Sequence, residues 1–153
     1  MLLGNQPEVR RRRRRRRRRL PGGGGKIINM SSVSGKVGNA KFAAYCSSKF
    51  GVIGFTQSLA KEMAGYKVNV NAICPSLVET ERVFGMASAL KPDAGTSTEE
   101  WRDEMVAQTN ANNPLGRIAQ AKDVADVAAF LASSQSDYLT GLAINVAGGS
   151  YMG

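Results

Sequence analysis

Three side chains have the types and spacing for proton chemistry. Tyr45 and Lys49 are four residues apart in the stretch Tyr45-Cys46-Ser47-Ser48-Lys49. On a helix that separation puts them on one face, within reach of each other. An ammonium beside a phenol stabilises the phenolate, so such a pair can give or take a proton under physiological conditions. Ser32 lies 13 residues before Tyr45, just after a short apolar run. If that run is a strand, its carboxyl end is where the hydroxyl could meet the phenol, because sites in open parallel sheets gather there. Each feature also has a plain structural reading: a contact on an exposed helix face for the pair, a loop or cap residue for the serine. Histidine is absent, which excludes a Ser–His or Cys–His relay and a His-ligated metal within this sequence.

The elements that would position these groups can be read from periodicity. Lys26-Ile27-Ile28-Asn29-Met30-Ser31 is a short apolar run between glycines and a Ser/Gly segment, the pattern of a buried strand. From Ala43 to Ala64, Val52, Phe55, Leu59 and Met63 recur at three- and four-residue steps, which predicts a helix that Gly65 is placed to end. Val68, Val70 and Ala72 alternate with Lys67, Asn69 and Asn71 and lead into Ile73-Cys74-Pro75, a second strand. Ser97-Thr98-Glu99-Glu100 reads as a capping box opening a helix through about Gln108. Lys122 to Ser133 carries Val124, Val127, Ala128 and Leu131 on one side, and Leu142 to Val146 forms a third strand before Gly148-Gly149. Apolar strands alternating with helices imply an α/β fold with a parallel sheet covered by helices.

Taken together, Gly25 to Gly35, Tyr45 to Lys49 and Asn71-Ala72-Ile73-Cys74-Pro75 resemble the short-chain dehydrogenase/reductase family. The likeness continues through Asn113-Pro114-Leu115-Gly116-Arg117, Asp123-Val124-Ala125 and Leu139-Thr140-Gly141 to Gly148-Gly149. The resemblance implies the C-terminal part of a Rossmann-like doubly wound sheet, three strands with covering helices, without the N-terminal dinucleotide-binding half. It implies an oxidoreductase interconverting a secondary alcohol and a ketone with NAD or NADP. In that reading Tyr45 exchanges a proton with the substrate oxygen, Ser32 hydrogen-bonds that oxygen, and Lys49 assists the tyrosine and holds the nicotinamide ribose. Pro75, Ser76, Leu77, Val78 and Thr80 match the loop that lies against the nicotinamide. Residues 81–101 match the variable substrate lid, with Met86 and Met105 as candidates to line an apolar pocket. The helix at 43–64 would serve a homo-oligomer. The family usually has glycine where Ser76 stands, so a positive φ there would carry a strain. The family's glycine-rich phosphate turn should precede Lys26. Gly22–Gly25 does not replace it, since it precedes a strand and lacks the spaced pattern. A chain without that half is expected to be inactive or weakly active alone.

The formal net charge of +9 belongs to one segment, Arg10–Arg19. Without those ten arginines, 11 basic residues face 12 acidic ones. Residues 1–25 are expected to be an extended arginine- and glycine-rich segment and 26–153 the folded part. An alternative function rests on that run alone: ten arginines could grip nucleic acid or an anionic surface, through phosphate charge and without sequence preference. The absence of aromatic interleaving argues against a dedicated role, and the composition favours a low-complexity stretch joined to an enzyme fragment. Cys46 and Cys74 have no metal-like or CxxC spacing, so two reduced thiols are expected. With no apolar stretch long enough for a signal peptide or a membrane span, the reading is a cytoplasmic protein.

Overall fold

A computed structural model describes residues 23–92 and 95–153. The run Arg10–Arg19, with the expectations of an extended segment and of phosphate or surface binding, lies outside the described residues. Three parallel strands make one sheet in the order β1-β2-β3: β1 (Gly25–Met30), β2 (Val68–Pro75) and β3 (Ala143–Val146). Among the described residues four α-helices accompany them: α1 (Ala43–Met63), α2 (Glu81–Leu90), α3 (Thr98–Asn112) and α4 (Ala121–Ala132). The α/β class and parallel sheet expected from the sequence are those observed.

β2 is the central strand, and that explains its composition. Both of its edges are paired, Gly25–Met30 against Val68–Ile73 on one side and Ala72–Pro75 against Ala143–Val146 on the other. Seven of its eight residues are buried, including Asn71 between the apolar positions. A buried amide must be satisfied: the Asn71 Nδ2 donates to the Leu139 carbonyl at 2.9 Å, and its Oδ1 accepts from the Leu142 N–H at 3.1 Å. Asn71 thereby fixes the segment that leads into β3. Ala60, Val68 and Val70 form a core cluster against which Ile27, Leu59, Met63 and Tyr66 pack.

Several boundaries differ from the sequence reading. β1 begins at Gly25 and ends at Met30, so the glycine run already contributes a strand residue. Gly65 does not terminate α1. The chain passes through a 3₁₀ turn, Ala64–Tyr66, and the left-handed position is Lys67 at φ 58°. The buried stripe of α1 is also rotated. Phe55 is 58% exposed while Thr56 is buried, because the Thr56 hydroxyl accepts from Asn29 Nδ2 and donates to the Val52 carbonyl. The capping box at Ser97 and Glu100 is present, with both reciprocal bonds formed, but α3 continues to Asn112, beyond the expected Gln108. α2 occupies part of the stretch expected only as a variable lid.

Candidate active site

Ser31 and Ser32 follow directly on β1 and divide two tasks. Ser31 is buried, and its Oγ donates to the Lys49 carbonyl on α1 at 2.8 Å. That bond clamps the helix carrying Tyr45 and Lys49 onto the carboxyl end of the strand. Gly35 completes the clamp: a Cβ there would stand 2.6 Å from Ser31 Oγ and 2.7 Å from the Lys49 carbonyl oxygen, so only glycine lets the helix approach this closely. Ser32 is turned the other way. Its Oγ accepts from the Ser34 N–H at 3.1 Å, capping a short 3₁₀ turn, and makes only a long 3.4 Å contact with the Pro75 carbonyl.

Tyr45 and Lys49 lie on the same face of α1, as their spacing predicts. The Lys49 Nζ donates to the Met30 carbonyl at 3.0 Å and stands 5.7 Å from the centre of the Tyr45 ring. Phe42 meets the same ring edge-on at 6.4 Å, an arrangement that holds an aromatic ring in place.

The loop after β2 forms the opposite wall. The Ser76 N–H donates to Val146 at 3.1 Å, the Glu79 N–H donates to Ala119 at 2.8 Å, and Val78 bridges to Ala119. Glu79 is further held by Arg102 and Gln120, each at 2.8 Å. Thr80 stands at the N-terminal boundary of α2, without a side-chain capping bond, and Val83 and Ala87 of that helix are buried. Ser76 does not take a positive φ; Lys41 and Lys67 are the non-glycine residues that do among those described. The strain expected from serine at this position is therefore not there.

These walls enclose a cavity of about 670 Å³. Ser32, Tyr45, Lys49, Pro75, Ser76, Leu77, Val78 and Thr80 all line it, so the candidate catalytic and cofactor residues named from the sequence are brought to one place. Met86 also lines it, and Met105 does not. Arg82 and Asn39 are lining residues that the sequence reading missed. The Ser76 Oγ is buried with no hydrogen-bond partner among the described residues. A buried orphan hydroxyl on a cavity wall fits a ligand that brings its own polar group, as the carboxamide of a nicotinamide would.

A family model described as enoyl-(acyl carrier protein) reductase matches residues 13–151. The chain belongs to the short-chain dehydrogenase/reductase family. It is 40% identical over 127 residues to a 3-oxoacyl-(acyl-carrier-protein) reductase of Haemophilus influenzae, covering 83% of this chain and 46% of that protein. It is 43% identical over 124 residues to an (S)-acetoin-forming diacetyl reductase of Staphylococcus aureus, covering 81% of this chain and 46% of that one. The chain thus spans about half the length of the curated relatives it matches. Among solved structures, an actinorhodin polyketide ketoreductase with NADPH superposes with a TM-score of 0.74 at 37% identity, covering 84% of this chain and 48% of that one. A 3-oxoacyl-(acyl-carrier-protein) reductase with bound NAD from Brucella melitensis gives 0.66 at 35% identity, covering 84% and 42%.

Proposed function

We propose that this short-chain dehydrogenase/reductase interconverts a secondary alcohol and a ketone with NAD or NADP, using Ser32, Tyr45 and Lys49. The observation that carries the reading is that these three side chains, from a strand end and one helix face, meet on a single cavity of about 670 Å³. In the reductive direction Tyr45 gives its phenolic proton to the substrate oxygen; in the oxidative direction it takes that proton away. Ser32 is free to donate to the same oxygen, since its hydroxyl proton is engaged only through the 3.4 Å contact with Pro75. Lys49 places a cation beside the phenol and stabilises it when it is ionised. A bound nicotinamide supplies or accepts the hydride at the substrate carbon. Pro75, Ser76, Leu77, Val78 and Thr80 would hold its ring and carboxamide, and Lys49 with Tyr45 its ribose.

The residues described here supply the nicotinamide and substrate end of that site. The outer face of α1 supports a homo-oligomer, for it presents Phe50 and Phe55 at 46% and 58% exposure. The test is ketone reduction followed by NADH and NADPH absorbance, with diketones and 3-oxo esters as substrates. In a form that also carries a dinucleotide-binding half, Tyr45→Phe is expected to lower turnover by about 10²–10⁴-fold, the usual contribution of a positioned acid or base. A variant that keeps the full rate refutes the assignment.

A further inference from the structure

We propose that Arg82 makes this site selective for ketones that carry a carboxylate near the reacting carbon. The proposal rests on the oxidoreductase reading above for the chemistry, but its own support is the charge arrangement of the cavity. The lining holds two cations, Lys49 and Arg82, and no aspartate or glutamate. Lys49 donates to the Met30 carbonyl, and the reading above assigns its remaining donors to the nicotinamide ribose. Arg82 has no ion pair and no hydrogen bond among the described residues, whereas Arg102 and Arg117 each bind carboxylates at 2.7–2.8 Å.

The position of Arg82 is specific. Its guanidinium carbon stands 5.0 Å from the centre of the Tyr45 ring, next to the group that would handle the substrate oxygen. A cation–π contact of this kind contributes only about 0.5–1 kcal/mol at an exposed site. That contact uses none of the five N–H donors of the guanidinium in a hydrogen bond, and they have no partner among the described residues. Those donors form the planar fork that matches a carboxylate through two parallel bonds. The helix gains nothing from this charge, because Arg82 is the second residue of α2 and a cation in the first turn opposes the macrodipole. An anion held there would be favoured by both the arginine and the helix. With the guanidinium this close to Tyr45, the fitting substrates are short oxo acids, with one or two carbons between the ketone and the carboxylate.

The probes are acetoacetate and its uncharged methyl ester, which share the same ketone. Binding to the full 153-residue chain is read by ligand-observed NMR, and reduction by NADPH and NADH absorbance. Acetoacetate should bind roughly 10- to 100-fold more tightly than the ester, the range expected for hydrogen bonds to a charged group. Arg82→Gln should erase that preference, and Arg82→Lys should keep part of it, retaining the charge but losing the fork. Equal affinity for acid and ester, no binding of acetoacetate, or a preference unchanged in Arg82→Gln overturns the proposal. So does a loss of adenosine diphosphate binding in Arg82→Gln with acetoacetate binding intact, which would assign the cation to cofactor phosphates. Failure of the underlying reading looks different: Arg82-dependent binding of acetoacetate, with no reduction of either compound even when the chain is joined to a dinucleotide-binding half, leaves anion recognition standing and removes the oxidoreductase.

Discussion

Lys49 Nζ reaches from α1 to the Met30 carbonyl at the end of β1, 3.0 Å away, and this bond holds it 5.7 Å from the centre of the Tyr45 ring. The strand end therefore positions the lysine, and the lysine stands over the tyrosine. Lys49→Met should remove the cation while keeping most of the stem's bulk. We expect turnover to fall by about 10²-fold, the scale of losing one preorganised electrostatic contact, with little change in melting temperature. Lys49→Arg should recover part of the rate, since charge is kept but a planar fork fits a single carbonyl poorly. Steady-state rates of the three proteins on one ketone check the order.

Gly35 is the position where a methyl group should do most damage to the site without touching a reacting group. Its absent Cβ leaves room for Ser31 Oγ and the Lys49 carbonyl, which would lie 2.6 and 2.7 Å from it. Gly35→Ala must push α1 away from the end of β1, breaking the Ser31 clamp and displacing Tyr45 and Lys49. Overpacking of this kind costs about 1–3 kcal/mol, read in urea unfolding. Activity should fall further than that loss of stability explains, because a displacement of about 1 Å can lower a rate by roughly 10²-fold.

The parts of this fold that were legible in the sequence are those governed by local pattern. Tyr45 and Lys49 share a face because a helix forces that on residues four apart, and β2 reads as a strand because Val68, Val70 and Ala72 alternate with polar residues before Ile73-Cys74-Pro75. What was missed depends on long-range partners. Thr56 replaces Phe55 in the interior because Asn29, 27 residues away, supplies a hydrogen bond that periodicity cannot show. Gly65 looked like a helix stop, yet the 3₁₀ turn carries the chain on to Lys67. α2 did leave a signal, in Val83 and Ala87 four residues apart, but Gly85 and the small residues around it weakened the pattern. Arg82 had no motif to mark it. Its importance comes from the missing carboxylates around it, which only the assembled cavity reveals.

The start of α4 should be acid-sensitive. Asp123 accepts from both ends of the Arg117 guanidinium, at 2.7 and 2.8 Å, and from the Gln120 N–H at 2.7 Å. Arg117 first, and that N–H second, hold its carboxyl well below the usual carboxylate range. A folded value lowered below the unfolded one gives stability that is present above the ordinary aspartate value of about 4 and lost as pH falls through the folded value. Asp123→Asn should therefore melt earlier than the parent at neutral pH, and the gap should close in strong acid. Paired thermal melts across that range measure it; a gap independent of pH would show that the carboxylate charge is irrelevant.

Cys74 should behave in the opposite sense, toward alkali. It is buried in β2, and burial pushes its thiol up from the ordinary value of 9.0, outweighing the hydrogen bond with Ser31 and the charges of Lys36 and Lys49. The raised folded value means that its contribution is fully present below the unfolded value and lost as pH rises through the folded one. The thiolate is the nucleophile, so the native protein should resist iodoacetamide at Cys74 at neutral and mildly alkaline pH. In urea the same residue should label fully. Mass spectrometry of the digested protein locates the label. Rapid labelling of Cys74 in the folded state would mean that the centre of the sheet opens readily, and that the end of β2, which also carries Pro75 and the cavity loop, is not a rigid support for the site.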